Sequence, residues 1–262
     1  MVCDALRFFL EFTLRWDEWL SLEQQSEARA VMTNDYANAG WRAFQAGWVH
    51  QLRKQDDALL ACASRAATHW DIAEAGPRER GAALYLRGVG HRAKGDLSAA
   101  IAAYHQALDS FRTMAVESQE IASTLNALAI AEKASEDLAA AEQHYREAIR
   151  VADGLGDVEG LATYTGNLAG LMLDKKEWQM AEEFTREALP LSEKMGRLEL
   201  IAAHNLRLAQ ALIGQRKTGE ALPHAQTAFS IYEQLGRADE ITFARETLAQ
   251  CDSENSRSDP PA

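Results

Sequence analysis

Seven histidines are the residues of this sequence best suited to chemistry, because an imidazole can bind a metal or transfer a proton near neutral pH. His50 and His91 lie 41 residues apart at one position of a sequence repeat, where Glu132, Met172 and Leu212 stand in the other copies. A metal site would need carboxylate or cysteine partners at a recognisable spacing, and none accompanies these two histidines. We therefore predict a structural role for them and no metal site.

Nucleophilic and phosphate-binding motifs are also missing from the sequence, which contains no HExxH, GxSxG or GxxxxGK[ST] pattern. The three cysteines, Cys3, Cys62 and Cys251, are widely scattered and show no CxxC spacing. This pattern favours neither a disulfide framework nor a zinc site, and it is typical of the reducing cytoplasm. We expect a cytoplasmic protein that is not an enzyme, with no catalytic residues and no cofactor.

Composition excludes further classes of function. The chain has 262 residues, of which 47% are hydrophobic and 25% charged, enough to bury a large core. Its formal net charge of −12 would repel a phosphate backbone, so we expect no nucleic-acid partner. No stretch approaches the roughly 18 uninterrupted apolar residues of a spanning helix, and the first residues lack the features of a signal peptide. We expect a soluble protein without a membrane partner.

A pair of alanines seven residues apart recurs four times, in steps of 41, 40 and 40 residues. The four pairs are Ala100 and Ala107, Ala141 and Ala148, Ala181 and Ala188, and Ala221 and Ala228. Another small residue lies twelve positions before each first alanine, at Gly88, Ala129, Ala169 and Ala209. Because the apolar residues around each pair follow helical spacing, each repeat contains two helices that small residues allow to approach closely. Such a period is typical of stacked helix pairs.

The repeat predicts an all-α fold, a right-handed superhelix or α-solenoid of about five helix pairs over residues 37–234. The repeats should span about 37–76, 77–116, 117–156, 157–196 and 197–236. Their helices should span about 37–53, 56–72, 78–93, 97–113, 118–134, 138–153, 158–174, 177–194, 198–214 and 218–234.

Both ends of the stack need helices that cover it, because nothing else packs there. We predict aromatic N-terminal capping helices within residues 1–36, at about 4–19 and 22–33. A C-terminal capping helix should span residues 237–251, and the polar tail at 252–262 should be disordered.

Several residues depart from the repeat pattern. Arg87 stands where other repeats have leucine, and Pro190 and Pro223 fall inside second helices. Because an interior proline removes a backbone hydrogen bond, these two helices could be bent or shortened. Glycines at the opposite boundary of the repeats, in LGD, MGR and LGR, suit a left-handed helix end.

The blocks GDLSAAIAAYHQAL and LAAAEQHYREAI, together with the small-residue positions and an aromatic residue near the centre of the second helix, resemble tetratricopeptide repeats. The resemblance covers about residues 37–234 in five registers. The period of 40 to 41 residues exceeds the usual 34. This long form resembles the arrays of kinesin light chain and the C-terminal sensor region of bacterial signal-transduction NTPases. The resemblance implies a protein-binding scaffold rather than an enzyme.

First helices should line the inner surface of the superhelix, where such arrays bind their partners. The predicted partner-binding residues are Trp41, Phe44, Trp48, Tyr85, Arg92, Asn126, Lys133, Asn167, Arg207 and Gln210. Of these, Asn126 and Asn167 are the best candidates to hold an extended peptide, because an amide both donates to and accepts from a backbone. They could instead bridge neighbouring helices.

The aromatic residues near the N-terminus admit two interpretations. Phe8, Phe9, Phe12, Trp16 and Trp19 follow helical spacing and could form a stripe on a membrane surface. Acidic and basic residues are mixed on the polar side of this segment, whereas a membrane-lying helix is normally basic there. We therefore expect these rings to pack onto the aromatic residues of the first repeat.

Three functions fit the sequence. The first is a scaffold that acts as a regulatory sensor or adaptor and binds a protein segment in the concave groove. The second is an intracellular receptor for a peptide or small ligand that acts through a partner chain, such as an NTPase or another effector. The third is a self-assembling module, since stacked arrays can continue into a homo-oligomer across a symmetry axis.

Overall fold

The computed structural model describes residues 15–115 and 117–258 of the chain, with side chains as far as Cys251. These residues form twelve helices and the turns between them, with no strand among them. The helices are α1 (Trp16–Met32), α2 (Tyr36–Leu52), α3 (Asp56–Ile72), α4 (Pro77–Ala93), α5 (Leu97–Arg112), α6 (Gln119–Ala134), α7 (Leu138–Leu155), α8 (Val158–Asp174), α9 (Trp178–Met195), α10 (Leu198–Gly214), α11 (Thr218–Leu235) and α12 (Ala238–Ser258). The prediction of an all-α repeat fold is confirmed. The predicted bounds of α2 to α11 agree with the structure to within two residues.

The chain divides into two compact units, residues 1–136 and 137–262. In the first unit, α2 packs on α3 and α4 packs on α5. The first helix of each pair also contacts the first helix of the next pair, so that α4 touches both α2 and α6. In the second unit, α8 packs on α9 and α10 on α11, while α8, α10 and α12 contact one another in the same way. Within each unit, successive helix pairs stack mainly by packing the second helix of one pair against the first helix of the next, and neighbouring first helices also touch.

Small residues create the space that larger side chains occupy between paired helices. The Tyr104 ring of α5 is fully buried against Gly88 of α4, where an added Cβ would lie 2.6 Å from the ring. The repeated alanines Ala100 and Ala107 have no exposed surface either. The alternation of small and large residues in the sequence thus sets the distance between the two helices.

The turns between helices share one backbone conformation. The residue directly after α7, α9 and α11 is left-handed, with φ of +66° at Gly156, Gly196 and Gly236, as predicted from the sequence. The turn inside a repeat also requires this conformation, and there Gly95 is replaced in later repeats by Glu136, Lys176 and Arg216. A residue with a side chain is strained at positive φ.

We expect Lys176→Gly to raise the free energy of unfolding by about 0.5–1 kcal/mol, because glycine adopts the +59° φ of this position without strain. The reciprocal change Gly95→Lys should lower stability by a similar amount, since no atom crowds that position and only the backbone conformation opposes it. Urea unfolding of the two variants measures both effects. Shifts of the same sign in both would contradict this explanation.

Residues 16–32 differ from the prediction in one respect, because the break expected between a helix at 4–19 and another at 22–33 is absent. A single helix runs from Trp16 to Met32 without a break near residue 20, because this stretch contains no glycine or proline. Buried Trp19 lies against Val49 of α2, and its Nε1 donates to Glu23 Oε1 at 3.1 Å. The remainder of the first predicted helix, including Phe8, Phe9 and Phe12, lies outside the described residues.

Both proline-containing helices keep their full length, so the expected shortening is wrong. Helices α9 and α11 each have 18 residues, as does α7, which contains no proline. Pro190 and Pro223 lie on exposed positions, where the ring displaces no packed neighbour. Each helix therefore bears the loss of one backbone hydrogen bond and continues.

The C-terminal helix is longer than predicted, and the prediction of a wholly disordered tail is wrong. Helix α12 continues through the first seven residues of that tail, as far as Ser258, the last described residue. No glycine or proline interrupts it over this range.

Candidate functional site

A groove in the first unit is the best candidate for a binding site. We call it the aromatic groove. It encloses about 230 Å³ between α2, α4 and α6, with Phe111 of α5 at its base. The groove is lined by Trp41, Phe44, Trp48, Arg78, Ala82, Tyr85, Phe111, Glu120, Ser123 and Thr124. The floor is thus apolar, while charged and hydroxyl groups stand at one side.

Ring-to-ring contacts organise the wall of the aromatic groove. Ring centroids lie 5.5 Å apart for Trp41 and Phe44, 6.0 Å for Phe44 and Trp48, and 6.1 Å for Trp48 and Tyr85. Behind this row, Trp41 also meets Trp70 at 5.1 Å. The four wall rings are half-buried, so each is held by a neighbour and still exposes part of its surface. Such preordered aromatic surface loses little conformational entropy on binding.

An ion pair closes one end of the groove. The Arg78 guanidinium carbon lies 5.8 Å from the Trp41 ring centroid, and Arg78 Nε donates to Glu120 Oε1 at 3.2 Å. Burial opposes ionisation of Glu120, but hydrogen bonds to its own backbone N–H and to Ser118, with the charge of Arg78, lower its pKa overall. Glu120 is therefore charged near neutral pH, and Arg78 and Glu120 can each pair with a polar group of a ligand.

The groove brings together four of the seven residues predicted for the binding face of this unit: Trp41, Phe44, Trp48 and Tyr85. It does not include Arg92, Asn126 or Lys133, all of which are half-buried. The Arg92 guanidinium lies beside the buried Tyr104 hydroxyl and offsets part of the rise in the pKa of Tyr104 that burial causes. Arg92 is thus turned towards the core of its helix pair.

Three predicted site residues belong to the second unit. Asn167 lies on α8 and Arg207 and Gln210 lie on α10, and all three are half-buried. Burial lowers the pKa of Arg207, while Tyr232, Tyr145 and Asp174 act in the opposite direction. A groove of about 360 Å³ in this unit is lined by other residues, among them Arg146, Leu168 and Phe184. The roles predicted for Asn167, Arg207 and Gln210 remain predictions.

A serine and a histidine of the second unit form a pair that the sequence did not suggest. Ser192 Oγ donates to Ala188 O at 3.2 Å and lies 2.9 Å from His204 Nδ1, which places the imidazole proton on Nδ1. Burial lowers the pKa of His204 to about 4. Neither residue has exposed surface, so no substrate can reach the pair and its role is structural.

His50 and His91 both contact the turn that follows their helix. His50 Nδ1 hydrogen-bonds to Gln55 Oε1 at 2.7 Å, and His91 Nδ1 lies 3.7 Å from Asp96 Oδ2. Each partner is five residues further along, which explains why both histidines occupy one repeat position. Among the described residues, no group of three or more histidine, cysteine or acidic side chains could hold a metal. No helix in the described ranges is long and apolar enough to cross a membrane.

Several lining residues were missed by the sequence reasoning, notably Arg78, Phe111 and Glu120. Arg78 could have been found, because it precedes Tyr85 by seven residues and so lies on the same face of α4. Phe111 could not, since it comes from a second helix and reaches the groove past Gly81, where a Cβ would lie 2.6 Å from its ring.

Comparison with known proteins supports the fold independently. The tetratricopeptide repeat family model matches residues 120–194. The structure is similar to that of Rap protein complexed with competence and sporulation factor, with a TM-score of 0.68 and 13% identity over 95% of this chain and 73% of that one. It is also similar to the apo form of the quorum sensor NprR from B. thuringiensis, with a TM-score of 0.67 and 14% identity over 95% and 69% of the two chains.

A further similar structure contains nearly identical TPR-like repeats from Podosopora anserina and is named as a kinesin light chain. Its TM-score is 0.61, with 16% identity over 74% of this chain and 95% of that one. No curated protein matches the sequence. At these identities the similarities establish the helical-repeat fold alone, and they agree with the resemblance found in the sequence.

Proposed function

Because this chain carries tetratricopeptide repeats, we propose that it is a non-catalytic binding module that holds a protein segment in the aromatic groove. The segment would run across the first helices and place a bulky apolar side chain against the exposed surfaces of Trp48 and Tyr85. A neighbouring acidic or basic group would pair with Arg78 or Glu120. A cytoplasmic location, predicted from the scattered cysteines without CxxC spacing, is part of this proposal.

The continuous row of half-buried rings is the observation that carries the proposal. A volume of about 230 Å³ accommodates one or two large side chains rather than a whole folded domain. Aromatic side chains that are preordered and partly exposed dominate the energetics of protein interfaces. The adjacent charged pair would orient the segment, since a polar group placed wrongly would leave one of the charges unpaired.

The test begins with peptides selected from a displayed random library of 12-residue sequences. The selected peptides should be enriched in phenylalanine, tryptophan or leucine. Trp48→Ala should weaken their binding about 30-fold, because truncating a central aromatic residue of an interface costs about 2 kcal/mol. Isothermal titration calorimetry measures the dissociation constants.

Phe243 provides a matched control, since its ring is 48% exposed on α12 and lies outside the groove. Phe243→Ala should leave the affinity unchanged. Equal affinity of wild type and Trp48→Ala for every selected peptide would refute binding in the aromatic groove. In a separate arm, Asn126→Ala/Asn167→Ala tests whether the two amides contribute, as the sequence predicts.

A second candidate is a receptor for a short signalling peptide that acts through a partner chain. This candidate is motivated by two of the similar structures, the Rap protein complexed with competence and sporulation factor and the quorum sensor NprR. It requires a peptide of fewer than about ten residues to change the conformation of the chain. Hydrogen exchange measured with and without a selected peptide distinguishes the two: protection confined to the groove favours the scaffold, and protection spread through the repeats favours the receptor. Mass measurement in dilute solution tests the self-assembling alternative.

A further inference from the structure

Two arginines of α4 interrupt an aliphatic pattern that the other repeats keep. Arg80 and Arg87 occupy repeat positions that hold leucine or isoleucine in the three following copies. The equivalent residues are Ile121, Leu161 and Ile201 for Arg80, and Leu128, Leu168 and Leu208 for Arg87. Leu128, Leu168 and Leu208 are buried, whereas Arg80 and Arg87 are exposed. The replacement therefore exchanges packed apolar surface for two accessible cations.

The exchange opens a second groove in the first unit, which we call the arginine groove. It encloses about 450 Å³ between α3 and α4. It is lined by Ala63, Ser64, Ala67, Trp70, Asp71, Ala75, Arg80, Ala83, Leu84 and Arg87. Its floor is made of small and apolar side chains, and Arg87 Nη2 donates to Gln106 Oε1 of α5 at 2.8 Å, which fixes the guanidinium at the edge.

The equivalent groove of the second unit shows what the arginines change. There Leu161 and Leu168 stand in place of Arg80 and Arg87, and the Phe184 ring lines the groove where the first unit has Ala103. That groove encloses about 360 Å³. The arginine groove therefore has the larger volume and carries its two arginines on the α4 side, whereas the groove of the second unit carries Arg146 and Arg150 on α7.

The arginine groove is separate from the aromatic groove. At about 100° per residue, Arg80, Leu84 and Arg87 share one face of α4, and Tyr85 projects about 130° away from the middle of that face. A ligand could therefore occupy either groove without the other. Failure of binding at one would not affect the proposal for the other.

We propose that the arginine groove docks an acidic amphipathic helix of a partner protein, with carboxylates seven residues apart on the helix. Arg80 and Arg87 are separated by about 10 Å along α4, which matches two residues spaced by seven on a parallel or antiparallel helix. Alanines at four floor positions permit close approach of another helix. Carboxylates suit the two guanidinium groups, and the side of the helix facing α3 must carry no carboxylate because Asp71 lies there.

The probe is a capped 16-residue helical peptide with glutamates at its fifth and twelfth positions and leucines between them on the same face. Its partner peptide carries glutamine at both positions. We expect wild type to bind the glutamate peptide about tenfold more tightly than the glutamine peptide, because two partly exposed ion pairs together give about that factor. Fluorescence anisotropy in low salt measures both affinities.

The variant Arg80→Leu/Arg87→Leu restores the residues of the other repeats, so it should fold with a melting temperature at or above that of wild type. It should bind the glutamate peptide about tenfold more weakly and no longer distinguish the two peptides. Arg87→Lys, which keeps the charge, should retain a preference for glutamate. Trp48→Ala should bind the glutamate peptide as wild type does.

Three results would overturn the proposal: no binding of the glutamate peptide by wild type, equal binding of both peptides, or undiminished binding by the folded double variant. A dimer of wild type that the double variant loses would also overturn it, since the occupant would then be a second copy of the chain. Mass photometry of both proteins at the same concentration detects that outcome.

Discussion

Acidification from pH 7.5 to pH 5 is expected to lower the free energy of unfolding by about 2 kcal/mol through His204 alone. Burial lowers the pKa of this histidine from 6.5 to about 4 in the folded state. Between these two values the unfolded chain binds a proton that the folded chain does not, so stability falls as the pH falls. Each pH unit below 6.5 costs about 1.4 kcal/mol, and about 3 kcal/mol is lost by pH 4.

The local geometry explains why the folded state resists protonation. His204 Nε2 is buried without a hydrogen-bond partner, and it points at Gly166, where any Cβ would overlap it. A proton on Nε2 would create a buried cation with no acceptor. Arg207, one turn further along α10, adds a repulsive positive charge.

Urea unfolding at pH 7.5, 6 and 5 measures the effect, and His204→Gln is the control because it removes the titrating group. The variant should lose clearly less stability than wild type over this range. Stopping at pH 5 limits the contribution of Glu142 and Glu182, whose pKa values are lowered by their basic and amide partners and whose stabilisation is lost only in stronger acid. Identical pH dependence of wild type and variant would show that His204 is not responsible.

Helix bounds were predictable because they depend on local chemistry repeated along the chain. The left-handed turn after each of the last three repeats needs a residue that accepts positive φ, and glycine marks it at Gly156, Gly196 and Gly236. Small residues at fixed spacing marked the packed faces in the same way. The break predicted between residues 19 and 22 is absent, because no residue in Trp16–Met32 ends a helix.

Site geometry was only partly predictable, because a groove depends on the difference between neighbouring repeats. The aromatic residues on first helices indicated one wall, but Phe111 enters from a second helix through the space at Gly81. The sequence showed that Arg87 replaces the leucine of other repeats. That this arginine lines a groove could be seen only from the packing of α3 against α4. The buried pair of Ser192 and His204 joins residues of two helices whose sequences give no sign of each other.

The largest stabilisation by a single substitution is expected from Pro190→Ala, which should raise the free energy of unfolding by about 2 kcal/mol. An interior proline costs a helix about 3 kcal/mol relative to alanine, since it lacks the N–H donor and its ring crowds the preceding turn. Part of that gain is offset, because alanine gives the unfolded chain more conformational freedom. Pro190 is exposed, so removing its ring leaves no cavity.

Pro77 is the matched control, because it stands at the start of α4, where the missing N–H would have no partner in the helix. Pro77→Ala should change stability by less than about 0.5 kcal/mol. Guanidinium unfolding of the two variants compares the same substitution in two helical contexts. If Pro190→Ala raised the free energy of unfolding no more than Pro77→Ala does, the prediction would be wrong. Packing of α9 against α8 and α10 would then compensate for the cost of the interior proline.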